Sequence, residues 1–143
     1  MIADQVAAGQ FADPAGAYEN LMERLVPQYR KQHEIIYGLL PENTGQSLRV
    51  LDLGCGDGSR SALALKKLPG ASVVGFDSTP KLISAYEKNL ADYRGRYEII
   101  LGDYLIDSLG SNYDIVLAGL TLLRLTWGER KDFYRQRCQD HQR

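Results

Sequence analysis

The stretch VLDLGCGDGSRS, residues 50–61, constrains this chain more than any other. An apolar run ends on an acid, Asp52, and glycine then stands at every second position: Gly54, Gly56, Gly58. Glycine admits positive φ and lets bare backbone N–H groups approach a partner that a Cβ would hold away. Any tight strand-to-helix turn favours glycine, so the spacing has to decide between a ligand loop and a plain turn. The dinucleotide fingerprint G-x-G-x-x-G would put its third glycine at position 59, where Ser59 stands. Here the order is G-x-G-x-G, and Asp52 and Asp57 would set negative charge beside a diphosphate.

The flanking rhythm is that of an α/β chain. Asp13-Pro14 predicts a helix start with proline in its first position. Ala15, Tyr18, Leu21, Met22 and Leu25 mark one face of that helix, and Pro27 should interrupt it. A second helical piece is expected to reach about Leu40, with Ile35, Ile36, Leu39 and Leu40 inward, before the loop PENTGQS at 41–47. LRVLDL (48–53), SVVGFD (72–77), YEIILGD (97–103) and YDIVLAG (113–119) read as strands. Ser59–Leu68 reads as a helix, with Lys66 and Lys67 near its negative end and Pro69-Gly70 stopping it. Thr79-Pro80 is expected to cap a helix reaching about Tyr93, and Thr126 with Glu129 makes a capping box for the last one. Strands alternating with helices predict βαβ units, a parallel sheet and right-handed crossovers.

Composition narrows the classes. A chain of 143 residues supports one domain with a buried core, and 44% apolar with 24% charged residues is the balance of a soluble globular protein. The formal net charge is −1 and no Lys/Arg block is present, which disfavours nucleic acid and anionic membranes as partners. Cys55 and Cys138 lie far apart, so no disulfide framework is expected and a reducing compartment is. MIADQVAAGQ lacks the basic region of a secretory signal, and no apolar run reaches bilayer-spanning length. The expectation is a soluble, cytoplasmic protein with no membrane partner and no metal site.

A second acid sharpens the glycine loop. Asp77 closes the second strand, 19 residues after Gly58. A carboxylate there can accept both hydroxyls of an adenosine ribose. A nucleoside cofactor with a cationic or zwitterionic end suits the acidic loop better than a diphosphate does.

The run Asp52-Leu53-Gly54-Cys55-Gly56-Asp57-Gly58, then GFDSTP with Asp77, GDY with Asp103 and YDIVLAGLTLL, resembles the successive motifs of class I S-adenosylmethionine-dependent methyltransferases. They stand in the right order over roughly residues 48–135. The resemblance implies a Rossmann-like, doubly wound, mostly parallel sheet in three α/β/α layers, preceded by N-terminal helices. It divides one domain into a helical lid (1–47), a βαβ cofactor-binding core (48–126) and a terminal helix with a polar tail (127–143). It implies S-adenosyl-L-methionine as cofactor and S-adenosyl-L-homocysteine as product. By the same resemblance, Gly54, Cys55, Gly56 and Gly58 would pass the backbone along the methionine part, with Asp52 near its ammonium group. Asp77, with Ser78 beside it, would take the ribose hydroxyls, Asp103 the adenine amine and the Tyr104 N–H a ring nitrogen; the Ala118 carbonyl would meet the ammonium. Plainer roles exist: Asp77 as a helix cap, Asp103 as a turn residue, Cys55 as small packing.

No catalytic motif is expected, because the cofactor's methyl group arrives activated and the protein's task is to hold the acceptor in line. Phe11, Ala15 or Ala17, Tyr18, Val26, Pro27 and Tyr29 loosely resemble leading helices that fold over the pocket in this family. Tyr18 and Tyr29 would either reach the cofactor or pack, His33 would lie on a helix surface, and Arg124 would meet an anionic acceptor or end a helix in solvent. A small-molecule acceptor is expected. The alternatives are a tRNA- or macromolecule-modifying methyltransferase, a truncated non-catalytic remnant, and an NAD-dependent oxidoreductase. A full family domain orders seven strands 3-2-1-4-5-7-6, and strands 5–7 are not found here. The strand at 113–119 is then an edge without proline or lysine, so a homodimer through it, or through the helix from Trp127 to about Arg137, is expected.

Overall fold

The strands form where apolar, β-branched runs end at acids or glycines. A computed structural model describes residues 14–42 and 45–139. Phe11, Asp13 and His141 lie outside the described residues, as do the side chains of Ala15, Ala17, Tyr18, Arg124 and Cys138. The order is α1 (Pro14–Leu25), α2 (Tyr29–Leu39), β1 (Arg49–Leu53), α3 (Ser59–Lys67), β2 (Ser72–Asp77), α4 (Ile83–Asn89), β3 (Tyr97–Leu101), β4 (Ile115–Ala118) and α5 (Trp127–Gln139). Single 3₁₀ turns stand at Pro80–Leu82, Ala91–Tyr93 and Leu120–Arg124.

The four described strands form one sheet, ordered β3-β2-β1-β4 and parallel throughout. Asp52 pairs with Gly75 on one side and Leu117 on the other, and Leu53 pairs with Phe76 and Ala118. After β3 the chain crosses to the far side of β1, so the direction of winding reverses between β1 and β4. In an open α/β sheet that switch point opens a crevice at the carboxyl ends of the strands.

Both faces of the sheet are covered, as a parallel sheet requires. On one side Val50, Val73 and Leu117 pack with Ala64 and Leu65 of α3, Leu68 just past its end, and Tyr86 of α4. On the other, Leu51, Leu53, Val74 and Phe76 meet Tyr104, Leu109, Tyr113, Leu122 and Leu125. This second face is covered by the connections between strands, with Phe133 of α5 packed against them. α1 lies against α4 and the Pro80–Leu82 turn, at the carboxyl edge of the sheet, whereas α2 lies along α3.

Arg96, in the turn before β3, closes the carbonyl end of α3. Its guanidinium donates to Ala71 O (3.0 Å), Leu65 O (3.2 Å) and Leu68 O (2.7 Å), filling acceptors that the helix itself leaves open. Lys66 and Lys67 stand in the last turn of α3 as expected, and Lys67 donates its Nζ to Tyr37 O at 2.8 Å, tying α2 to α3.

Some sequence expectations are corrected. Ile35 and Leu39 are exposed (53% and 80%), because the buried stripe of α2 runs through Tyr29, His33, Ile36 and Leu40, about 100° around the helix. The helix after Thr79 is not continuous to Tyr93. It is a 3₁₀ turn, the short α4 and a second 3₁₀ turn, and Thr79 makes no side-chain cap. The third and fourth strands stop short of Gly102 and Gly119. Thr126 and Glu129 do form the reciprocal box, Thr126 N to Glu129 Oε2 at 2.7 Å and Glu129 N to Thr126 Oγ1 at 3.3 Å. Gln28, with φ at +57°, turns the chain after Pro27 and opens α2.

Gly75 marks a close strand-to-helix contact. A Cβ there would lie 2.7 Å from the Tyr86 hydroxyl and 2.8 Å from its ring, and Tyr86 is fully buried. Gly75→Ala is expected to destabilise the fold by about 1–3 kcal/mol, the usual cost of overpacking, read as a lower urea midpoint with an unchanged slope.

Candidate functional site

The loop after β1 is fastened amide by amide to the end of β2. Gly54 N (2.7 Å) and Cys55 N (3.1 Å) both donate to Phe76 O, and Gly56 N donates to Asp77 Oδ2 at 2.9 Å. Gly58 N then closes a turn onto Cys55 O at 3.0 Å. Gly54, Gly56 and Gly58 all hold positive φ, at +66°, +56° and +83°. At Gly54 and Gly58 the bare Cα also serves the fold's own packing. A Cβ on Gly54 would lie 2.0 Å from Thr121 Oγ1, and one on Gly58 would lie 2.6–2.8 Å from Leu90 and Tyr86.

That fastening decides against a phosphate cradle. Three successive loop amides already have protein acceptors. At the start of α3, Ser59 N and Oγ donate to Asp57 Oδ1, at 3.1 and 2.8 Å. A buried carboxylate thus stands at the helix N-terminus, where a dinucleotide fold seats its pyrophosphate.

Asp52 is fully buried, and its charge is paired inside the protein. Arg60 Nε lies 3.1 Å from Oδ1, with Nη2 also at 3.1 Å, and Ser61 Oγ donates to Oδ2 at 2.8 Å. The Tyr86 hydroxyl donates to Ser61 Oγ at 3.1 Å, extending the chain of hydrogen bonds to α4. Arg60 Nη2 also donates to Gly54 O, and Nη1 lies over Gly119, 2.3 Å from where a Cβ would stand. The guanidinium therefore spans the ends of β1 and β4 at the switch point.

The other residues singled out from the sequence fall along the same edge. Asp77 Oδ1 accepts Thr79 N at 2.8 Å while Oδ2 holds Gly56, so this half-buried carboxylate ties the loops after β1 and β2 together. Ser78 beside it is exposed. Asp103 is exposed, with Oδ1 accepting Leu105 N at 2.9 Å, and the neighbouring Leu101, Leu105 and Ile106 expose apolar side chains. Tyr104 is buried and donates its hydroxyl to Thr121 O at 3.0 Å. Ala118 ends β4, exposed, opposite Leu53. Arg60 and Thr121 are the residues that sequence reasoning missed. Arg60 lies in the quoted stretch as a plain helix residue, and nothing local shows that its side chain turns back onto Asp52.

The leading helices contribute less. Tyr29 is buried, its ring edge-to-face with His33 at 4.5 Å, and His33 Nδ1 lies 3.2 Å from Tyr29 O one turn back. Both are engaged within α2. Among the described residues no group of three or more His, Cys, Asp or Glu side chains gathers where a metal ion could be held, and no helix is long and apolar enough to cross a membrane.

Residues 50–139 match a family described as "Methyltransferase domain". The chain belongs to the class I S-adenosylmethionine-dependent methyltransferases. It is 26% identical to malonyl-[acyl-carrier protein] O-methyltransferase of Priestia megaterium, over 85% of this chain and 42% of that protein. It is 31% identical to carboxy-S-adenosyl-L-methionine synthase of Desulforapulum autotrophicum, over 81% of this chain and 48% of that one. A TehB-like S-adenosylmethionine-dependent methyltransferase of Corynebacterium glutamicum superposes with a TM-score of 0.55 at 25% identity, covering 80% of this chain and 58% of that one. The chain thus spans less than half the length of the two curated relatives. Membership in a methyltransferase family, together with the occupied loop amides, overturns the oxidoreductase alternative.

The family's cofactor is S-adenosyl-L-methionine, and the residues present fit it, though unevenly. The ends of β2 and β3 offer a half-buried carboxylate and an exposed apolar surface, and the end of β1 offers an acid already paired with an arginine.

Cys55 is free and buried, and burial, reinforced by Asp52 and Asp77, pushes its thiol far above the ordinary range. It is a packing residue. In a Cys138→Ser background, Cys55 should resist alkylation by iodoacetamide at pH 8 and react only on unfolding. Burial raises the Tyr86 phenol as well. Both groups stay neutral in the folded chain at pH values where the unfolded chain ionises them, above about 8.5 and 10. Their stabilising contribution is therefore full below pH 8 and falls as pH rises, so the urea midpoint should be lower at pH 10 than at pH 7.5.

Proposed function

We propose that this chain carries the cofactor-binding half of an S-adenosylmethionine-dependent methyltransferase acting on a small-molecule acceptor. The observation that carries the reading is Asp77. Its carboxylate is fixed at the end of β2 by the Gly56 and Thr79 amides, and each oxygen keeps acceptor capacity for a ribose hydroxyl. Asp103 would take the adenine amine and the Tyr104 N–H a ring nitrogen, with Leu105 and Ile106 offering the base an apolar flank. Ser78 would assist at the ribose, and Cys55, Gly56 and Gly58 would line the path of the methionine chain. The chemistry supplied by the bound group is a methyl on a sulfonium, already activated for in-line displacement. The protein's contribution is to hold both reactants and exclude water.

A small acceptor is supported by the near-neutral charge and by the name of one relative, a trans-aconitate 2-methyltransferase of Streptomyces avermitilis, 29% identical over 58% of this chain and 32% of that protein. The exposed edge of β4 supports a second copy of this chain as a partner. Val116 is 48% exposed on that edge, and Leu123 and Trp127, 62% and 79% exposed, follow it in the chain. The cytoplasm is the compartment that the free, buried thiol suits.

Two measurements test this. By titration calorimetry S-adenosylhomocysteine should bind and NAD should not. Asp77→Ala should lose about 1.5–3 kcal/mol of that affinity, the value of a hydrogen bond to a charged group, and unchanged affinity would remove the ribose role. A chain that folds and binds neither ligand would be the non-catalytic remnant. Separately, light scattering at micromolar concentration should return the mass of a dimer; a clean monomer would remove the β4 pairing.

A further inference from the structure

At the end of β1 the protein supplies partners for its own polar groups. Asp52 is held by Arg60 and Ser61, the Gly54 carbonyl by Arg60, and the amides of Gly54, Cys55 and Gly56 by Phe76 O and Asp77. The Leu53 carbonyl, the last of the strand, accepts a hydrogen bond from Thr121 Oγ1 at 2.8 Å. Thr121 reaches it from the 3₁₀ turn after β4, and its side chain covers the bare Cα of Gly54: a Cβ there would stand 2.0 Å from Oγ1 and 2.7 Å from Cγ2. The turn that carries Thr121 is anchored. Leu122 and Leu125 are buried in the core of that face, and the Tyr104 hydroxyl donates to Thr121 O at 3.0 Å. The ends of β2 and β3 differ. Asp77 and Asp103 have solvent access, backbone amides fix each carboxylate without exhausting its acceptor capacity, and Leu105 and Ile106 expose apolar side chains.

We propose that Thr121 sets the specificity of the site by sealing the end of β1, so that a ligand is held by its adenosine part and the aminoacyl tail of the cofactor adds little affinity. This rests on the cofactor reading above. An ammonium or carboxylate group leaves water at a net gain only where the protein offers it a partner. At the end of β1 each such partner would first have to be taken from another protein group, and the half-buried Thr121 side chain fills the space over Gly54. The charged tail therefore keeps its hydration, while the nucleoside meets Asp77, Asp103 and the apolar flank. Adenosine nucleosides without a charged tail are the ligand class that this arrangement accepts as readily as the cofactor itself.

Calorimetry with methylthioadenosine and S-adenosylhomocysteine tests this, since the two share the adenosine and the thioether and differ in the aminoacyl tail. In the unaltered chain S-adenosylhomocysteine should bind no more than about threefold more tightly than methylthioadenosine, less than one net hydrogen bond. Thr121→Ala removes the hydroxyl and methyl that cover Gly54 and frees Leu53 O. It should let S-adenosylhomocysteine gain about fivefold over methylthioadenosine, the value of one added hydrogen bond. Thr121→Val fills the same space and should leave the ratio as it is in the unaltered chain. A purely structural role for Thr121 would move both affinities together in both variants and leave their ratio unchanged, which would overturn the proposal. So would a larger preference for S-adenosylhomocysteine in the unaltered chain, a result that needs no variant to fold and leaves the cofactor reading standing. Failure of both ligands to bind the unaltered chain would overturn the cofactor reading and this inference with it.

Discussion

A fully buried carboxylate at the end of the central strand sets the terms for much of this fold. Asp52 could not remain charged in an apolar interior without compensation, and removing one partner of such a buried pair costs about 3–5 kcal/mol. Arg60 and Ser61 supply the compensation from the first turn of α3. The pair therefore fixes how α3 leaves the glycine loop. Ser61 in turn accepts the Tyr86 hydroxyl, which brings α4 against β2 at Gly75. A single polar chain thus couples β1, α3, α4 and β2, and the glycines at 54, 58 and 75 are needed where side chains of Thr121, Leu90 and Tyr86 come closest.

This reassigns part of the glycine pattern. Closely spaced glycines past a strand look like a ligand-facing loop, and positive φ at three of them agrees with that. Yet the amides of residues 54–56 are satisfied by Phe76 O and Asp77, and two Cα positions are kept bare for the protein's own side chains. The loop's first task is to join the ends of β1 and β2. What it offers a ligand is shape and a carboxylate, not a row of free donors, which is why a nucleoside suits it and a diphosphate does not.

The features legible from sequence were those encoded locally. The apolar runs of β1 and β2, the break at Pro27 and the Thr126–Glu129 box each depend on residues within a few positions of one another, and they stand where the pattern put them. The order of the methyltransferase motifs made the parallel sheet legible, since each motif sits at a strand's carboxyl end. What escaped depends on partners distant in sequence or on side-chain direction. Arg96 closes α3 from 28 residues beyond Leu68. Ile35 and Leu39 satisfy a helical spacing but lie off the single stripe that α3 covers. Arg60 is eight positions from Asp52 in the chain, across a turn that no periodicity describes.

The distribution of charge along the carboxyl edge follows from the same distinction. Four acids, Asp52, Asp57, Asp77 and Asp103, lie at or just beyond strand ends, and left uncompensated they would repel one another and any anionic ligand. The two buried ones are quenched internally, Asp57 by the start of α3 and Asp52 by Arg60. The two with solvent access, Asp77 and Asp103, are anchored by backbone amides that leave acceptor capacity outward. The edge therefore keeps its open acceptors at the ends of β2 and β3, whereas at the end of β1 the carboxylate is closed off inside the protein by its own ion pair, so the acid that the glycine motif begins with serves the fold before it serves a ligand.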